Sequence, residues 1–537
     1  MKFCDWIKQN KKFVIIFSII MIVGIFLRVY NFHDWLKFTH DQARDATIIT
    51  NIIDKKQPLP LLGPDAGGTK FLLGPMHYYF SYAAARIFGN YPIQQAFPTL
   101  FSSILAIPLL FFFLRKYFDR NISLMLTAIM STSYFFVANA RISWNPNLIP
   151  FFLLLFLYAL LQIADEKNKN RFSWSILVGI SLGVGIQLHT FFLVIVPVVT
   201  FLGFAYLFVK KIPGTWKNFL IVMIIALIVN LPQLVSEVNT GFQNSKNFMQ
   251  GASNKSKNNL GSSLLWTSAC QIQANTYFVS SIQDISSLPD KYACNSILKS
   301  SSKKFTDKAI YYAGLVASAI FSLFGYFLLG YFFKKEKDQQ KKNFLALMIL
   351  FSIISFSTFF SVAKAMYLYY FIIIFPVPFV MLGLLFKIFV EKYSKWGSRL
   401  VLCVAFLLIV FGIVRDFGAA RDYAVGLGNS EKQTTLGDIE SIWQYMLANS
   451  NGYSEVYFSG KGWLGGRFNT PLQYFAQRSG KNIKLLWSLN DKTVRSGVPI
   501  FYIKNSTGKI MLGKNINGRE IIGGQRFFRQ VVLILKN

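Results

Sequence analysis

The feature that most constrains this chain is the recurrence of apolar blocks about 20 residues long, the length needed to cross a ~30 Å hydrocarbon core. Eleven blocks run roughly 13–30, 92–114, 121–138, 147–164, 173–188, 189–209, 217–236, 308–333, 343–362, 365–388 and 397–415. A signal peptide would explain one block and not the series. Only 15% of the 537 residues are charged, against about 25% in soluble domains. The chain therefore reads as an all-α polytopic membrane protein with about eleven transmembrane helices. Residues 1–415 form its membrane domain.

The net charge is +32. Nucleic acid is the usual first thought for such a basic chain. Here the cations gather in short loops between apolar blocks, which is the positive-inside pattern of inserted proteins. The pieces 1–12, 115–120, 165–171, 210–217, 334–342 and 391–399 carry 21 Lys and Arg, whereas the short turns after 138, 188 and 362 carry only Arg141 and Lys364. This asymmetry predicts a multi-pass protein of the plasma (inner) membrane with a cytoplasmic N-terminus. A twelfth block, 71–88, would reverse that asymmetry if it crossed. It carries His77 and Arg86 and ends at Gly89-Asn90-Tyr91-Pro92. It is read as an interfacial helix.

Three large regions then face away from the cytoplasm: 31–91, a polar loop 237–306, and a tail 416–537. The tail is read as a small extracytoplasmic α/β domain. An amphipathic helix is expected over 431–448, strands near 455–458, 484–487, 500–503 and 531–535, and turns at the Gly-rich stretches. Cys270 and Cys294 share the second loop, an oxidising location, and are the candidate disulfide pair. No CxxC motif or internal repeat is present.

Ionisable groups at membrane depth or at its rim are costly and invite a functional reading. Asp41 and Asp45 stand four apart in Phe38-Thr39-His40-Asp41-Gln42-Ala43-Arg44-Asp45, on one face if that segment is helical. A carboxylate there can take a proton from a hydroxyl or hold a metal, or simply pair with Arg44. His77, Tyr78 and Tyr79 follow Gly74-Pro75, where Pro suits a helix start and interfacial anchoring explains the aromatics equally well. Arg141, beside Asn145 in the turn after the third span, can bind a lipid phosphate or snorkel to headgroups. Lys364 offers the same choice. His189 joins two apolar blocks, as a ligand or as a satisfied hydrogen bonder. These clusters are distant in sequence but share one side of the membrane. That convergence suits an anionic lipid substrate.

The arrangement resembles the lipid-linked-sugar glycosyltransferases of the GT-C fold, most of all the protein O-mannosyltransferases and the bacterial aminoarabinose lipid A transferases. His40-Asp41-Gln42 looks like their first-loop acidic motif, with Gln42 in place of a frequent Glu. Gly74-Pro75-Met76-His77-Tyr78-Tyr79 looks like their Pro-rich helix start, Ala140-Arg141 like their Ser-Arg turn, and 183–197 like their Gly-rich helix pair. The likeness covers residues 13–210 well and the later helices in pattern only. It implies a sugar donor on a polyprenyl phosphate and a glycan, lipid or protein acceptor. Asp41 would be the general base of an inverting transfer. Arg141, Lys364 and Lys70 would face the donor phosphate. Gln42, Asp45, His77, Tyr78, Tyr79, Asn145 and His189 would line the substrates. No cofactor is required, and a divalent metal is compatible. A transporter or flippase would instead predict charged or broken helices at the midplane. An assembly factor would leave the acid and the cations incidental.

Overall fold

The computed structural model describes residues 8–67, 70–255, 260–281, 305–360, 367–424, 434–462, 464–491, 494–505, 510–527 and 530–536. Among the described residues eight helices are long and apolar enough to cross a membrane: Lys11–Val29, Phe97–Leu114, Asn145–Ala164, Arg171–Leu188, Thr190–Val209, Lys308–Lys335, Gln339–Phe360 and Lys395–Ala420. Three bent helix pairs among the described residues bring the total to eleven if each is one span: Arg120–Thr132 with Tyr134–Ala140, Thr215–Val229 with Leu231–Asn239, and Leu368–Ile374 with Pro376–Tyr393. Together these match the eleven expected blocks one for one. The bends of 51–63° were not legible from hydropathy. Two of them precede prolines, Pro232 and Pro376, which cannot continue the helical hydrogen-bond ladder.

The block 71–88 forms the 13-residue helix Met76–Phe88, about 20 Å long and too short to cross. It packs on the first-loop helix His40–Ile53 through Tyr78, Ala85, Ile49 and Ile52. Its N-terminus is fixed by a close approach. A Cβ at Gly74 would overlap the Gln187 side chain, whose amide accepts from the Met76 N–H at 3.3 Å and donates to the carbonyls of Gly183 and Val229.

The region 237–306 corrects the sequence reading. It is not all polar loop: Leu260–Ser280 is a helix, and its Ala269, Cys270, Ala274, Tyr277 and Phe278 are buried in the core of the membrane bundle. Ser, Thr, Gln and Asn lower its hydropathy, yet two of them find partners on a neighbouring span. Gln271 donates to the Tyr326 hydroxyl at 2.6 Å and Asn275 to Ser322 at 3.2 Å. Cys270 is disulfide-bonded. The other half of the expected pair, Cys294, lies outside the described residues.

The tail folds around one mixed sheet of β1 (Glu455–Gly460), β2 (Asn482–Leu485), β3 (Ile500–Asn505), β4 (Asn515–Ile516), β5 (Arg519–Phe527) and β6 (Gln530–Leu535), in the order β2-β1-β3-β6-β5-β4. β1 runs parallel to β2 and β3, and the remaining pairs are antiparallel. The expected helix appears as Leu436–Ala448. A second helix, Leu464–Arg478, replaces an expected turn: Leu464, Phe468, Leu472 and Phe475 repeat at helical spacing on its buried face. Its Gly465 is required because a Cβ there would press on Leu485 and Gly460. β5 went unforeseen because Gly523-Gly524 interrupts its pattern.

The tail does not stand apart from the first loop. Phe32, Leu36, Phe38, Ala43 and Ala46 share one hydrophobic core with Trp443, Phe458, Phe475 and Phe501. Burying such large side chains contributes about 1.5–3 kcal/mol each. Polar bonds reinforce the contact: Tyr91 to Glu440 at 2.7 Å, His40 Nδ1 to Thr470 Oγ1 at 2.7 Å, and Gln477 to Asn51 at 2.8 Å.

Candidate active site

The site grows from the first-loop helix His40–Ile53. Thr39 caps it, and Gln42 three residues on accepts from the Thr39 N–H at 3.3 Å and from its hydroxyl, closing a capping box. Gln42 is thereby buried and occupied by the cap. Asp41 stands in the first turn, where the helix dipole favours a carboxylate. Its side chain keeps 47% exposure.

Arg44 lies between the two acids. Its guanidinium reaches Asp41 Oδ1 at 3.3 Å and Asp45 Oδ1 at 2.8 Å. Asp45 turns inward, with 7% of its side chain exposed, and also accepts from the Tyr78 hydroxyl at 3.1 Å. His77 Nε2 lies 3.8 Å from Asp45 Oδ2. Burial pushes the Asp45 carboxyl up to about 6 against the opposing pull of Arg44 and Tyr78. Burial, then the Arg44 charge, presses His77 down to about 4, so it is neutral at physiological pH. Asp41 and Asp45 therefore do different work from one helix. The first is accessible to a substrate hydroxyl; the second braces Arg44 from below.

The remaining sequence candidates divide by geometry. Tyr79 donates to the Pro60 carbonyl at 2.9 Å. The Asn145 amide donates to the Leu188 carbonyl, tying the turn after the third span to the end of Arg171–Leu188. His189 Nδ1 accepts from the Phe191 N–H at 3.1 Å and caps the next span. Arg141 donates to the carbonyls of Leu27 and Tyr30 at 2.8 and 2.7 Å and lies over the Trp35 ring. It is buried among helix ends. Lys70 is exposed, with a left-handed φ of 58°, and its carbonyl accepts from Asn247 at 3.0 Å. Lys364 lies outside the described residues.

Three groups escaped the sequence reading. Lys37 lies within electrostatic reach of Asp41, and burial lowers its pKa. Trp144, Tyr369 and Tyr370 form an aromatic wall, with ring centroids 5.1 and 4.6 Å apart in succession, and Tyr369 also feels the Asp41 charge. Thr470 of the tail meets His40, the neighbour of Asp41. No periodicity marks any of them: Lys37 stands in an extended segment just before the helix, and the others come from distant elements. Among the described residues no three His, Cys, Asp or Glu side chains gather as a metal site.

Residues 73–235 match the family model described as dolichyl-phosphate-mannose-protein mannosyltransferase. No curated protein matches the chain in sequence. Among solved structures, ArnT from Cupriavidus metallidurans bound to undecaprenyl phosphate superposes with a TM-score of 0.52 at 13% identity, over 98% of each chain. Its apo form gives 0.51 with the same identity and coverage. The archaeal oligosaccharyltransferase AglB from Archaeoglobus fulgidus, in complex with an inhibitory peptide and a dolichol-phosphate, gives 0.50 at 12% identity, over 93% of this chain and 70% of AglB. The first-loop helix, the helix Met76–Phe88, the membrane bundle and the terminal sheet thus share the GT-C fold of these structures.

Proposed function

We propose that this protein transfers a sugar from a polyprenyl-phosphate donor to a hydroxyl acceptor at the non-cytoplasmic face of the plasma membrane, with Asp41 as general base. One observation carries the reading. Asp41 is half exposed at the start of a braced helix, at the end of a GT-C bundle whose neighbour ArnT binds undecaprenyl phosphate. In this scheme the acceptor hydroxyl gives its proton to Asp41 as its oxygen bonds to the anomeric carbon. The bond from that carbon to the phosphate oxygen breaks on the opposite side, and polyprenyl phosphate leaves with the electron pair. One displacement inverts the anomeric centre. The acceptor is a glycan, lipid or protein approaching the exposed side of Asp41.

Buried charge weighs against transport. Arg28 and Asp416 are buried charged residues within spans, and both lie near the ends of theirs rather than at the midplane. Reconstitution with radiolabelled polyprenyl-phosphate sugar and a membrane extract tests the reading. Wild type should label an acceptor and Asp41→Asn should not. Undiminished transfer by the variant removes Asp41 as base, and movement of labelled lipid across the bilayer without transfer would favour a flippase.

A further inference from the structure

Three charged side chains lie buried together where the first and last spans end. Arg28, in the last turn of Lys11–Val29, is fully buried, and Arg141 and Asp416 are 8% and 9% exposed. The third span breaks at Ser133, between Arg120–Thr132 and Tyr134–Ala140. A helix that ends there leaves carbonyls to be satisfied. Arg28 Nη1 donates to that of Ser131 and Nε to Ser103 Oγ, both at 2.8 Å. The last span comes up against the same break. A Cβ at Gly412 would overlap the Thr132 carbonyl, and Arg415 lies over the Tyr134 ring, 5.1 Å from its centroid. Asp416 is one turn beyond Gly412 on the same face, within electrostatic reach of Arg28 and Arg141.

Four atoms of this cluster are closed to solvent and have no hydrogen-bond partner among the described residues: Arg28 Nη2, Arg141 Nη1 and both carboxylate oxygens of Asp416. Asp416 thus acts on the two guanidinium groups through its charge. Without that charge two cations would face each other at low dielectric, where they repel strongly. Arg28 is also tied to its own helix through the Gly24 carbonyl. Arg141 has a longer reach. It donates to the carbonyls of Leu27 and Tyr30, lies over the Trp35 ring, and its own carbonyl accepts from the Lys37 N–H at 2.9 Å. It therefore grips the segment that runs from the first span to the Asp41 helix. The chain that follows the last span meets that segment again: Phe38 N–H donates to the Thr434 carbonyl at 3.0 Å, and the Thr434 hydroxyl donates to the Phe38 carbonyl at 2.9 Å. A buried ionic cluster adds little net stability, and apolar side chains of similar volume would serve as well. What the charges add is one fixed arrangement.

We infer that Asp416 is a positioning residue: its charge keeps Arg141 turned into the bundle beside Arg28, and through Arg141 it sets the segment that carries the Asp41 helix. Asp416 touches no substrate and exchanges no proton in the transfer. Its effect on transfer rests on the proposed transferase reading; its effect on the segment does not.

The experiment uses the full-length protein in lipid nanodiscs and compares wild type with Asp416→Asn, Asp416→Glu and the double variant Asp416→Leu, Arg28→Met. The double variant leaves Arg141 without its counter-charge while preserving volume, so it guards against loss of folding. Two readouts are taken: hydrogen–deuterium exchange of the Lys37 and Phe38 amides, and transfer of radiolabelled sugar from the polyprenyl-phosphate donor. Asp416→Asn and the double variant should speed exchange at these amides by about tenfold, with exchange in Asn145–Ala164 unchanged. A displaced base should lower kcat by about ten- to hundredfold, with little change in donor KM. Asp416→Glu, which keeps the charge, should restore most of both. Exchange and kcat at wild-type values in the folded charge-removing variants overturn the inference and leave the transferase reading standing. Faster exchange with unchanged kcat also overturns it, as does loosening of the whole bundle in both variants, which would show a role in stability alone. A wild type that transfers no sugar overturns the transferase reading, and the role in transfer with it.

Discussion

The first span and the segment Leu36–Phe38 are separated by only six residues, yet they answer to different solvents. Ile15, Ile16, Ile19 and Ile22 of the span are exposed, as suits side chains whose surroundings are lipid. Leu36 and Phe38 are 1% exposed, and what covers them is Trp443 and Phe475, some four hundred residues away. In the bundle, apolar surface needs no protein partner, and span assignment follows from composition alone. At the loop end, the same kinds of residue need a particular partner, and the helix that carries Asp41 is placed by that partnership. The active-site candidates occupy the seam between these regimes.

The sharpest way to break this comparison is at Asp41. If it is the base, Asp41→Asn should lower transfer by about 10²- to 10⁴-fold while the melting temperature in detergent barely moves, since the residue is half exposed. A comparable fall in both would make it structural. Next comes Trp443→Ala, at the centre of the shared core. It should cost about 3–5 kcal/mol and expose the first loop to protease while the spans remain folded. Loss of the whole bundle would show that the two regimes are not separable. Gly74→Ala, which sets a methyl against Gln187, should cost about 1–3 kcal/mol, measured by thermal unfolding. It should also raise KM for acceptor by shifting the helix that carries His77 and Tyr78.

A subtler test concerns pH. Asp45 titrates near 6 rather than its ordinary 3.8. Above that value it is ionised and grips Arg44; below it, one of the two carboxylates holding Arg44 is lost. Transfer should therefore fall as pH drops through about 6, and Asp45→Asn should flatten that limb of the profile. Linkage runs the other way for folding. A raised carboxyl binds its proton more tightly in the native state, so this group favours folding at low pH and loses that contribution as pH rises through about 6. The smallest expected effect is Thr470→Val, which removes the bond to His40. It should cost about 0.5–1.5 kcal/mol in docking of the tail, with a change in acceptor KM rather than in donor KM.

Much of the bundle was legible because hydropathy is a property of each segment by itself. The same holds for the short helix Met76–Phe88 and for the strands with continuous apolar runs, such as β1 and β6. The helix Leu260–Ser280 was missed because its Gln and Asn side chains lower its hydropathy, although its other face enters the core of the bundle. Asp41 was legible within its motif. Most of its companions were not, because Trp144, Tyr369 and Thr470 come from three distant elements with no common period.

By itself, then, the chain determined a polytopic helical protein, the sidedness expected of its loops, and an acid in the first loop as the residue to watch. These depend on local composition and on charges read one loop at a time. Only the tertiary structure decided that Asp45 is buried while Asp41 is open, and that Arg141 turns inward. Burial and pairing are relations between distant segments. They come into being only when the tail closes over the first loop and the helix ends converge beneath it.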